Sequence, residues 1–443
     1  MKEKVFKTKC GEIKGLEFDD RYEIKNVIYA YTKRFEKPCI ATSWNETLDG
    51  TIDGANVLQF SSFYEPDKNS FYEKEFSSGK SYSFSEDYLT LDIIAPKGEN
   101  IPVLLFIHGG GYETGMVNDL PYGGSAAFAS RGVILVSVSY RMNVFGLYND
   151  GNKYKGNYGL CDQIAAIKWV RDNISAFGGD GSKITLIGQS AGALSVDELC
   201  YVKELDGLIS GAMMMSGVPG VLPFDINFSD SAKSREFWKS VELLSDCKNG
   251  DELKNAPAKR VFDSWTEAKK SKTPLGVMFP IVDGENIRDY PSKLYKKKER
   301  LNVPYIFGVT SQDMMMPDLL LYLNARWAKL QSNKIGSPVY GYFFDKTPPG
   351  NSYKAFHASD LWYVFGQMEK SWRPFDERDY AVHNKMADEI AHFAKFGKPS
   401  EDWQSYTDSK SLMCFDENGG NMKPYKYCKS VAKYNRKHDK GPM

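Results

Sequence analysis

The length, composition and charge of this chain exclude several classes of protein. The sequence has 443 residues, with 57 Lys and Arg against 57 Asp and Glu, so its formal net charge is zero. Binding to nucleic acid through phosphate contacts needs a basic excess, and so does attraction to an anionic membrane, so we expect neither partner. With 42% hydrophobic and 14% aromatic residues, the chain can build a large core. We expect one domain over residues 1–443.

The cysteines and the N-terminus are typical of a protein from a reducing compartment. The seven Cys residues are odd in number, widely spaced and without a C-x-x-C pair, which argues against a disulfide framework or a structural zinc site. The first residues lack the apolar run of a signal peptide. The longest apolar stretches are far shorter than the ~20 residues of a membrane-spanning helix. We therefore expect a cytoplasmic protein that binds no metal.

The elements predicted in chain order change from short strands to alternating strands and helices. β-Prone runs in the N-terminal part are Val5–Thr8, Ile24–Tyr29 and Leu89–Ile94. Apolar runs typical of strands buried on both faces follow at Val103–Ile107, Val133–Val138, Lys183–Ile187, Pro304–Val309 and Val339–Phe344. Helical spacing of apolar residues predicts helices over about 160–175, from Ala191 onward, and along Val382–Phe393 with Gly397 as the stop. This alternation predicts an α/β fold with a mostly parallel sheet covered on both faces.

Two segments depart from this alternation. Residues from about 222 to 300 are polar, helical and rich in lysine, and predict a cap or helical excursion. The segment after Lys423, about 424–443, is basic and is predicted to be a loose tail.

The stretch Gly188-Gln189-Ser190-Ala191-Gly192 indicates a nucleophile elbow. In the G-x-S-x-G form a serine occupies a tight strand-to-helix turn, and the glycines prevent collisions at the flanking positions. The same pattern could also be a Gly-rich turn with an incidental serine, which need not lie between a strand and a helix. Here the motif directly follows a predicted strand and opens a helix, so we predict Ser190 as a nucleophile.

A glycine loop, His108-Gly109-Gly110-Gly111, follows the predicted strand Val103–Ile107. In the HGGG form, backbone N–H groups stabilise a tetrahedral oxyanion together with the amide after the nucleophile. Alone, the loop is equally compatible with a flexible connection. Together with the elbow, and in the expected order, it predicts an oxyanion hole formed by the amides of Gly110, Gly111 and Ala191.

A serine nucleophile needs a base and an acid, and chain order suggests which residues they are. In proteins with a G-x-S-x-G elbow the triad residues follow in the order Ser, acid, His. Four of the five histidines are disfavoured by that order, by a place on the last predicted helix or by a place in the tail: His108, His383, His392 and His438. His357, in a loop after Val339–Phe344, remains as the predicted base. Asp313 follows the preceding strand and is the candidate acid, with Asp318, Asp283 and Glu285 as open alternatives.

Longer stretches around these motifs carry a family resemblance. It is apparently ungapped from Gly156–Gln163 to Gly188–Gly192, reaches back through the glycine loop to Ser85–Leu89, and forward to Pro280–Gly284 and His357–Leu361. These residues are similar to the type-B carboxylesterases and cholinesterase-like proteins. The resemblance covers most of the chain and implies one α/β-hydrolase domain, with a small β-rich N-terminal part and helical excursions over the active site.

The resemblance also implies roles for particular residues. It implies a triad of Ser190 as nucleophile, Asp313 as acid and His357 as base. It implies that Asp283 and Glu285 belong to a structural turn. Two fold-stabilising ion pairs follow from it as well, Arg34 with Glu86 and Arg141 with Asp162.

The sequence departs from the family pattern in five ways. Gln189 stands before the nucleophile where the family usually has Glu, and Asp313 stands where many relatives have Glu. Ser78 occupies the position of the choline-binding Trp of cholinesterases, so we expect no cholinesterase. The cysteines of the family's first disulfide are absent. The interval between Asp313 and His357 is short for the family, which predicts a more open pocket.

The motifs and the resemblance together predict a serine carboxylesterase for small to medium acyl or aryl esters, without a cofactor. Five apolar or aromatic residues near the motifs are the expected substrate contacts: Tyr112, Tyr158, Met215, Trp362 and Tyr363. Two alternatives remain, an acyltransferase with the same nucleophile and a non-catalytic binding protein on this fold. The intact triad positions and oxyanion glycines disfavour the second, and only Gln189 favours the first. The oligomeric state is left open.

Overall fold

A computed structural model describes residues 1–77, 80–220, 229, 231–271, 279–314, 316–350 and 352–438. Its strands are β1 (Lys2–Thr8), β2 (Gly11–Glu17), β3 (Arg21–Tyr31), β4 (Cys39–Ile40), β5 (Leu48–Asp49), β6 (Asn56–Val57), β7 (Phe84–Ser85), β8 (Tyr88–Pro96), β9 (Ile101–Ile107), β10 (Ile134–Val138), β11 (Gly179–Gln189), β12 (Ile209–Met215), β13 (Tyr305–Thr310), β14 (Val339–Phe344), β15 (Ser411–Asp416) and β16 (Gly419–Pro424). Its α-helices are α1 (Phe71–Phe76), α2 (Asn143–Leu147), α3 (Tyr158–Asn173), α4 (Ala191–Leu199), α5 (Ser231–Leu244), α6 (Gly250–Asn255), α7 (Ala258–Ser271), α8 (Pro291–Lys296), α9 (Pro317–Leu330), α10 (Asp360–Phe365), α11 (Glu377–Phe396), α12 (Tyr406–Ser409) and α13 (Tyr425–His438).

One large sheet organises these elements, in the order β1-β2-β3-β8-β10-β9-β11-β12-β13-β14-β15-β16. Its central run from β10 to β15 is parallel throughout, and antiparallel strands extend it at both edges. The predicted mostly parallel sheet is thus confirmed. Because the central strands are parallel, the loops at their carboxyl ends all open on one edge, where ligands of such sheets bind.

Both faces of the central strands are buried, as their continuous apolar runs predict. In β9, Val103, Leu105 and Ile107 pack into one core, while the alternating Leu104 and Phe106 pack into the other. The same alternation occurs along β13. The nucleophile strand and its neighbours are therefore held rigidly from both sides.

The C-terminal segment differs from the prediction. The loose tail expected over about 424–443 is wrong for Tyr425–His438, which forms α13. Cys428, Ala432 and Asn435 are buried along one side of this helix, at the spacing of an amphipathic stripe. The lysines that make the segment basic occupy the remaining surface, so composition alone concealed the helix. The last residues, 439–443, lie outside the described residues.

Four helices, α5 to α8, occupy the described part of the predicted excursion over about 222–300. Residues 222–228, 230 and 272–278 of that segment, and Ser78 of the cholinesterase comparison, lie outside the described ranges. Whether the segment acts as a cap stays a prediction.

Both predicted ion pairs are present and bidentate. Arg34 donates to the two Glu86 carboxylate oxygens at 2.9 and 2.6 Å, and Arg141 donates to Asp162 at 2.9 and 2.7 Å. The second pair is buried, and Arg141 N also donates to Asp162. All seven cysteines are free thiols.

The described residues lack two features that would point to a membrane or to a metal. They contain no helix long and apolar enough to cross a bilayer. Nor do they contain a group of three or more His, Cys, Asp or Glu residues placed to hold a metal ion.

Candidate active site

The elbow at the end of β11 has the strained geometry that its glycines suggest. Ser190 adopts φ 55° and ψ −123°, a backbone conformation that non-glycine residues rarely adopt and that concentrates at functional sites. A Cβ on Gly188 would come within 2.2 Å of the Gly192 carbonyl oxygen, and one on Gly192 within 2.0 Å of the Ile107 carbonyl oxygen. Gly188 is therefore required by the close approach of the turn to itself, and Gly192 by the close approach of the turn to β9.

The glycine loop at the end of β9 lies directly against this turn. A Cβ on Gly109 would meet Gln189 Oε1 at 2.8 Å and Ser190 Cβ at 3.0 Å. Gly110 and Gly111 have φ values of 105° and 67°, which favour glycine. Ala191, the third predicted oxyanion donor, is the first residue of α4, where backbone N–H groups lack partners within the helix.

Two buried side chains that sequence reasoning did not assign hold the glycine loop in place. The Gln59 amide accepts from Thr114 Oγ1 at 2.6 Å and from Gly115 N at 3.0 Å, and it donates to Gly115 O at 3.1 Å. His108 lies at hydrogen-bond distance from Gly109 O through Nδ1, 2.9 Å away. Burial lowers the pKa of His108 to about 4, so this ring is neutral and structural.

The predicted base and acid form a hydrogen-bonded pair. His357 Nδ1 lies 2.8 Å from Asp313 Oδ1, and Asp313 Oδ2 accepts from the Thr310 hydroxyl at 3.0 Å. The two loops are joined beside the pair, because Gln312 N donates to Ala355 O at 2.9 Å. This isolated bridge fixes the Asp313 loop next to the His357 loop.

Electrostatics favour a protonated His357 beside an ionised Asp313. Burial by itself lowers the pKa of His357, but the charge of Asp313 and the hydrogen bond to it raise the pKa overall above the usual 6.5. Burial likewise opposes ionisation of Asp313, yet the charge of His357 and its hydrogen bond lower the pKa of Asp313 below its usual value. The pair therefore stabilises positive charge on the imidazole, as a general base requires.

The competing candidates occupy structural positions. Asp283 accepts from the backbone of Glu285 and Ile287 and from the Asn157 amide, which is a turn role. Asp318 pairs with Arg436 at 3.2 Å. The ring nitrogens of the two helical histidines lie 2.8 Å from backbone carbonyls, His383 at Tyr363 and His392 at Lys398.

Gln189, the residue before the nucleophile, contacts the base directly. Its side-chain Nε2 lies 3.2 Å from His357 Nε2. With the His357 proton on Nδ1, toward Asp313, the amide donates to the lone pair that a serine proton would use. Gln189 thus acts on the base from the side opposite to Asp313.

A cavity of about 750 Å³ opens at these residues. The catalytic candidates that line it are Gly109, Gly110, Gly111, Gln189, Ser190 and His357. Most of its remaining wall comes from the segment around α1, which supplies Phe60, Tyr64, Tyr72, Phe76, Tyr82 and Phe84. The volume suits a drug-sized ligand.

The five expected substrate contacts lie elsewhere. Tyr112, Tyr158, Met215, Trp362 and Tyr363 are buried, and none is among the described residues that line the cavity. The structure thus places these residues in the core, while the cavity wall comes from a segment without a motif. Their contact with substrate stays a prediction.

Tyr112 has a different role in this geometry. Its hydroxyl accepts from Ser195 Oγ at 3.3 Å and lies 3.4 Å from both carboxylate oxygens of Glu198. Both partners are on α4, so Tyr112 joins the glycine loop to the helix that follows the nucleophile.

Comparison with known proteins decides the family. The profile described as "Carboxylesterase family" matches residues 2–324 and 313–430. The para-nitrobenzyl esterase of Bacillus subtilis (strain 168) is 29% identical across 92% of this chain and 93% of its own length. The chain belongs to the carboxylesterase family. The human cocaine esterase is 35% identical, but across 63% of this chain and only 49% of its own length.

Solved structures agree with this family. A thermophilic para-nitrobenzyl esterase superposes with a TM-score of 0.82 at 24% identity and covers 97% of this chain and 99% of its own. A carboxylesterase of Geobacillus stearothermophilus gives 0.75 at 25% identity, with 96% and 99% coverage. The protein therefore has the α/β-hydrolase fold that its family resemblance implies. It is a carboxylic ester hydrolase.

A buried ion pair attaches the cavity wall of this carboxylesterase to the body of the fold. Glu75 of α1 is 1% exposed and accepts from Arg373 Nε at 3.0 Å, from Trp372 Nε1 at 2.9 Å and from Trp362 Nε1 at 3.0 Å. Trp362 therefore anchors the wall from behind, where the sequence suggested a substrate contact.

We expect Glu75→Gln to lower the free energy of unfolding by about 3–5 kcal/mol, because it leaves the Arg373 charge buried and unpaired. Urea unfolding followed by circular dichroism measures the change. Glu401→Gln is the matched control: its pair with Lys398 is at the surface, with Glu401 89% exposed, and because such pairs contribute little, this variant should leave the stability nearly unchanged. Equal effects of the two variants would contradict the anchoring role.

Proposed function

We propose that this carboxylesterase hydrolyses small to medium acyl or aryl esters with Ser190 as nucleophile, His357 as general base and Asp313 as orienting acid. The observation that carries the proposal is the His357–Asp313 pair, 2.8 Å apart, at a cavity that the strained Ser190 also lines. Three features of a serine hydrolase, a nucleophile at the cavity, a paired base and a glycine loop, converge there.

The reaction follows from these positions. His357 Nε2 takes the proton of Ser190 as its oxygen attacks the ester carbonyl, and the oxyanion is stabilised by the amides of Gly110, Gly111 and Ala191. The imidazolium, stabilised by Asp313, then protonates the leaving alcohol. Water attacks the acyl-enzyme with the same base, which releases the acid and regenerates Ser190.

The first test is hydrolysis of p-nitrophenyl butyrate by the wild-type protein and by Ser190→Ala. Release of nitrophenolate that is lost in the variant supports the proposal. If the wild-type protein hydrolysed none of the butyrate, acetate and para-nitrobenzyl esters, the proposed esterase function would be refuted. Repeating the assay with added alcohol and analysing the products distinguishes hydrolysis from acyl transfer, since a transferase would accumulate the new ester at the expense of the free acid.

We expect the acid limb of kcat/KM to have its midpoint above pH 6.5, because His357 must be neutral to act as a base and its pKa is raised from 6.5. In Gln189→Glu an ionised carboxylate replaces the amide 3.2 Å from His357 Nε2. An opposite charge at that distance favours imidazolium and should move the limb upward by about one pH unit or more. The loss of activity is thus larger at pH 6 than at pH 9.

The matched control is Gln404→Glu, which adds the same charge at an exposed position. It should leave the pH profile unchanged. A Gln189→Glu profile that overlies the wild type would show that Gln189 does not act on the base in solution.

A further inference from the structure

The cavity wall contains a buried carboxyl that the triad does not use. Asp119 is 4% exposed and lines the same cavity as Ser190. Its Oδ2 accepts from the Tyr122 hydroxyl at 2.9 Å and from Met116 N at 3.1 Å. Its Oδ1 is equally buried but has no hydrogen-bond partner among the described residues. A buried acceptor without a partner costs stability and calls for an explanation.

A second polar atom near this carboxyl is in the same state. The Tyr82 hydroxyl is buried and has no hydrogen-bond partner in the described part of the chain. Tyr82 also lines the cavity. Burial and the charge of Asp119 raise the pKa of Tyr82, while the nearby Ser77 hydroxyl lowers it. The charge of Asp119 therefore acts electrostatically on the Tyr82 hydroxyl. Because its pKa is raised, this hydroxyl stays an uncharged O–H donor.

The wall around the two groups is otherwise aromatic. Phe76, Phe84 and Tyr122 line the cavity with them, and the Leu120 amide after Asp119 donates to Phe76 O at 2.8 Å. This bond holds the Asp119 loop against α1. The two unpartnered polar atoms are thus set in a fixed, mostly apolar surface, which is the usual composition of a specificity pocket.

We propose that Asp119 and Tyr82 form a subsite for a hydroxyl group carried by the ester substrate. A hydroxyl is the small neutral group that both donates and accepts. It donates to Asp119 Oδ1 and accepts from the Tyr82 O–H, so one ligand group satisfies both orphaned atoms. The inference rests on the proposed esterase function and deepens it by naming a substrate class, hydroxylated esters.

The ionisation state of Asp119 supports a neutral ligand group. Burial raises the pKa of Asp119 to about 7, against the lowering effect of the Tyr122 hydrogen bond. Near neutral pH this carboxyl is therefore not held in the ionised form, and a hydroxyl can pair with either form. A protonated amine would instead bind only the ionised form, so its recognition would rise steeply through pH 7.

The test uses ester pairs of equal length in which a terminal hydroxyl replaces a methyl group. On the acyl side the pairs are p-nitrophenyl 6-hydroxyhexanoate with heptanoate, and 8-hydroxyoctanoate with nonanoate. On the alcohol side the pair is the monobutyrate of hexane-1,6-diol with heptyl butyrate. Hydrolysis of this pair is measured by the release of butyric acid. We expect the hydroxylated member of at least one pair to have a kcat/KM about fivefold to tenfold higher, the size expected of one or two neutral hydrogen bonds.

Tyr82→Phe should bring that ratio close to one, because it removes the donor and keeps the ring. Tyr72→Phe is the matched control, since this phenol lines the same cavity but its hydroxyl donates to Met314 Sδ; it should keep the ratio. Melting temperatures of both variants show that they are folded. Because the readout is a ratio on one protein sample, a partial loss of folded protein does not alter it.

Three results would overturn the inference. These are equal rates within all three pairs, a preference that survives Tyr82→Phe, or a stronger preference for p-nitrophenyl 6-aminohexanoate that appears only above pH 7. Failure of the proposed function looks different, because then Ser190→Ala would not abolish hydrolysis of the plain alkyl esters.

Discussion

Ser190→Ala is expected to lower kcat for p-nitrophenyl butyrate by about 10⁴-fold or more while leaving the protein folded. Alanine removes the nucleophilic oxygen and adds nothing to the crowded turn, where the close contacts belong to the two flanking glycines. The backbone strain at φ 55° persists in the variant, so stability should change little. Steady-state kinetics and a thermal melt measure the two effects separately.

The same experiment includes His357→Ala and the double variant. Groups that act as one unit show nearly the same loss alone and together, so the double variant should be no slower than Ser190→Ala. His392→Ala and His383→Ala are the histidine controls. Their kcat should stay near that of the wild type, because the two rings lie at hydrogen-bond distance from backbone carbonyls. Additive losses at Ser190 and His357 would contradict a shared proton transfer.

The parts of the site predicted from sequence are those fixed by steric constraints that leave a residue pattern. The elbow requires glycine at 188 and 192 because a Cβ there would collide with backbone atoms. Continuous apolar runs predicted the central strands because these are buried on both faces. Such constraints act on each residue of an element in turn, and they leave a pattern of glycines or apolar residues that can be read directly from the chain.

The parts that sequence reasoning missed depend on contacts between distant segments. Glu75 and Arg373 are nearly three hundred positions apart, and Gln59 reaches the glycine loop from another distant segment. Aromatic residues close to a motif looked like substrate contacts, but Met215 and Tyr363 point into the cores beneath the sheet edge. Proximity in sequence does not decide which face of an element meets the cavity.

The helix at Tyr425–His438 was missed for a related reason. Its buried side is short, with Cys428 and Ala432 at its centre, while lysines dominate the composition. A charge-rich segment with so few apolar positions is indistinguishable from a solvated tail until its packing against α9 is known.

Asp313→Asn is expected to lower kcat at neutral pH by about 10⁴-fold, because an amide facing His357 Nδ1 allows the tautomer with the proton on Nε2, which cannot accept a proton from serine. The variant has a second signature in the pH profile. Asp313 raises the pKa of His357 against the effect of burial, so its removal should move the acid limb of the residual activity to lower pH. A merely structural role for Asp313 would reduce activity without this displacement.

Three further variants show whether Asp313 is the acid of the triad. Asp313→Glu restores the charge with the side chain that many relatives carry, and should recover much of the lost activity. Asp318→Asn removes a carboxylate engaged by Arg436 and should leave the pH profile in place. Asp360→Asn tests the other carboxyl near the base: Asp360 accepts from the Tyr342 hydroxyl at 2.6 Å, and burial raises its pKa to about 6. If Asp313→Asn were fully active and Asp360→Asn were not, the acid of the triad would be Asp360.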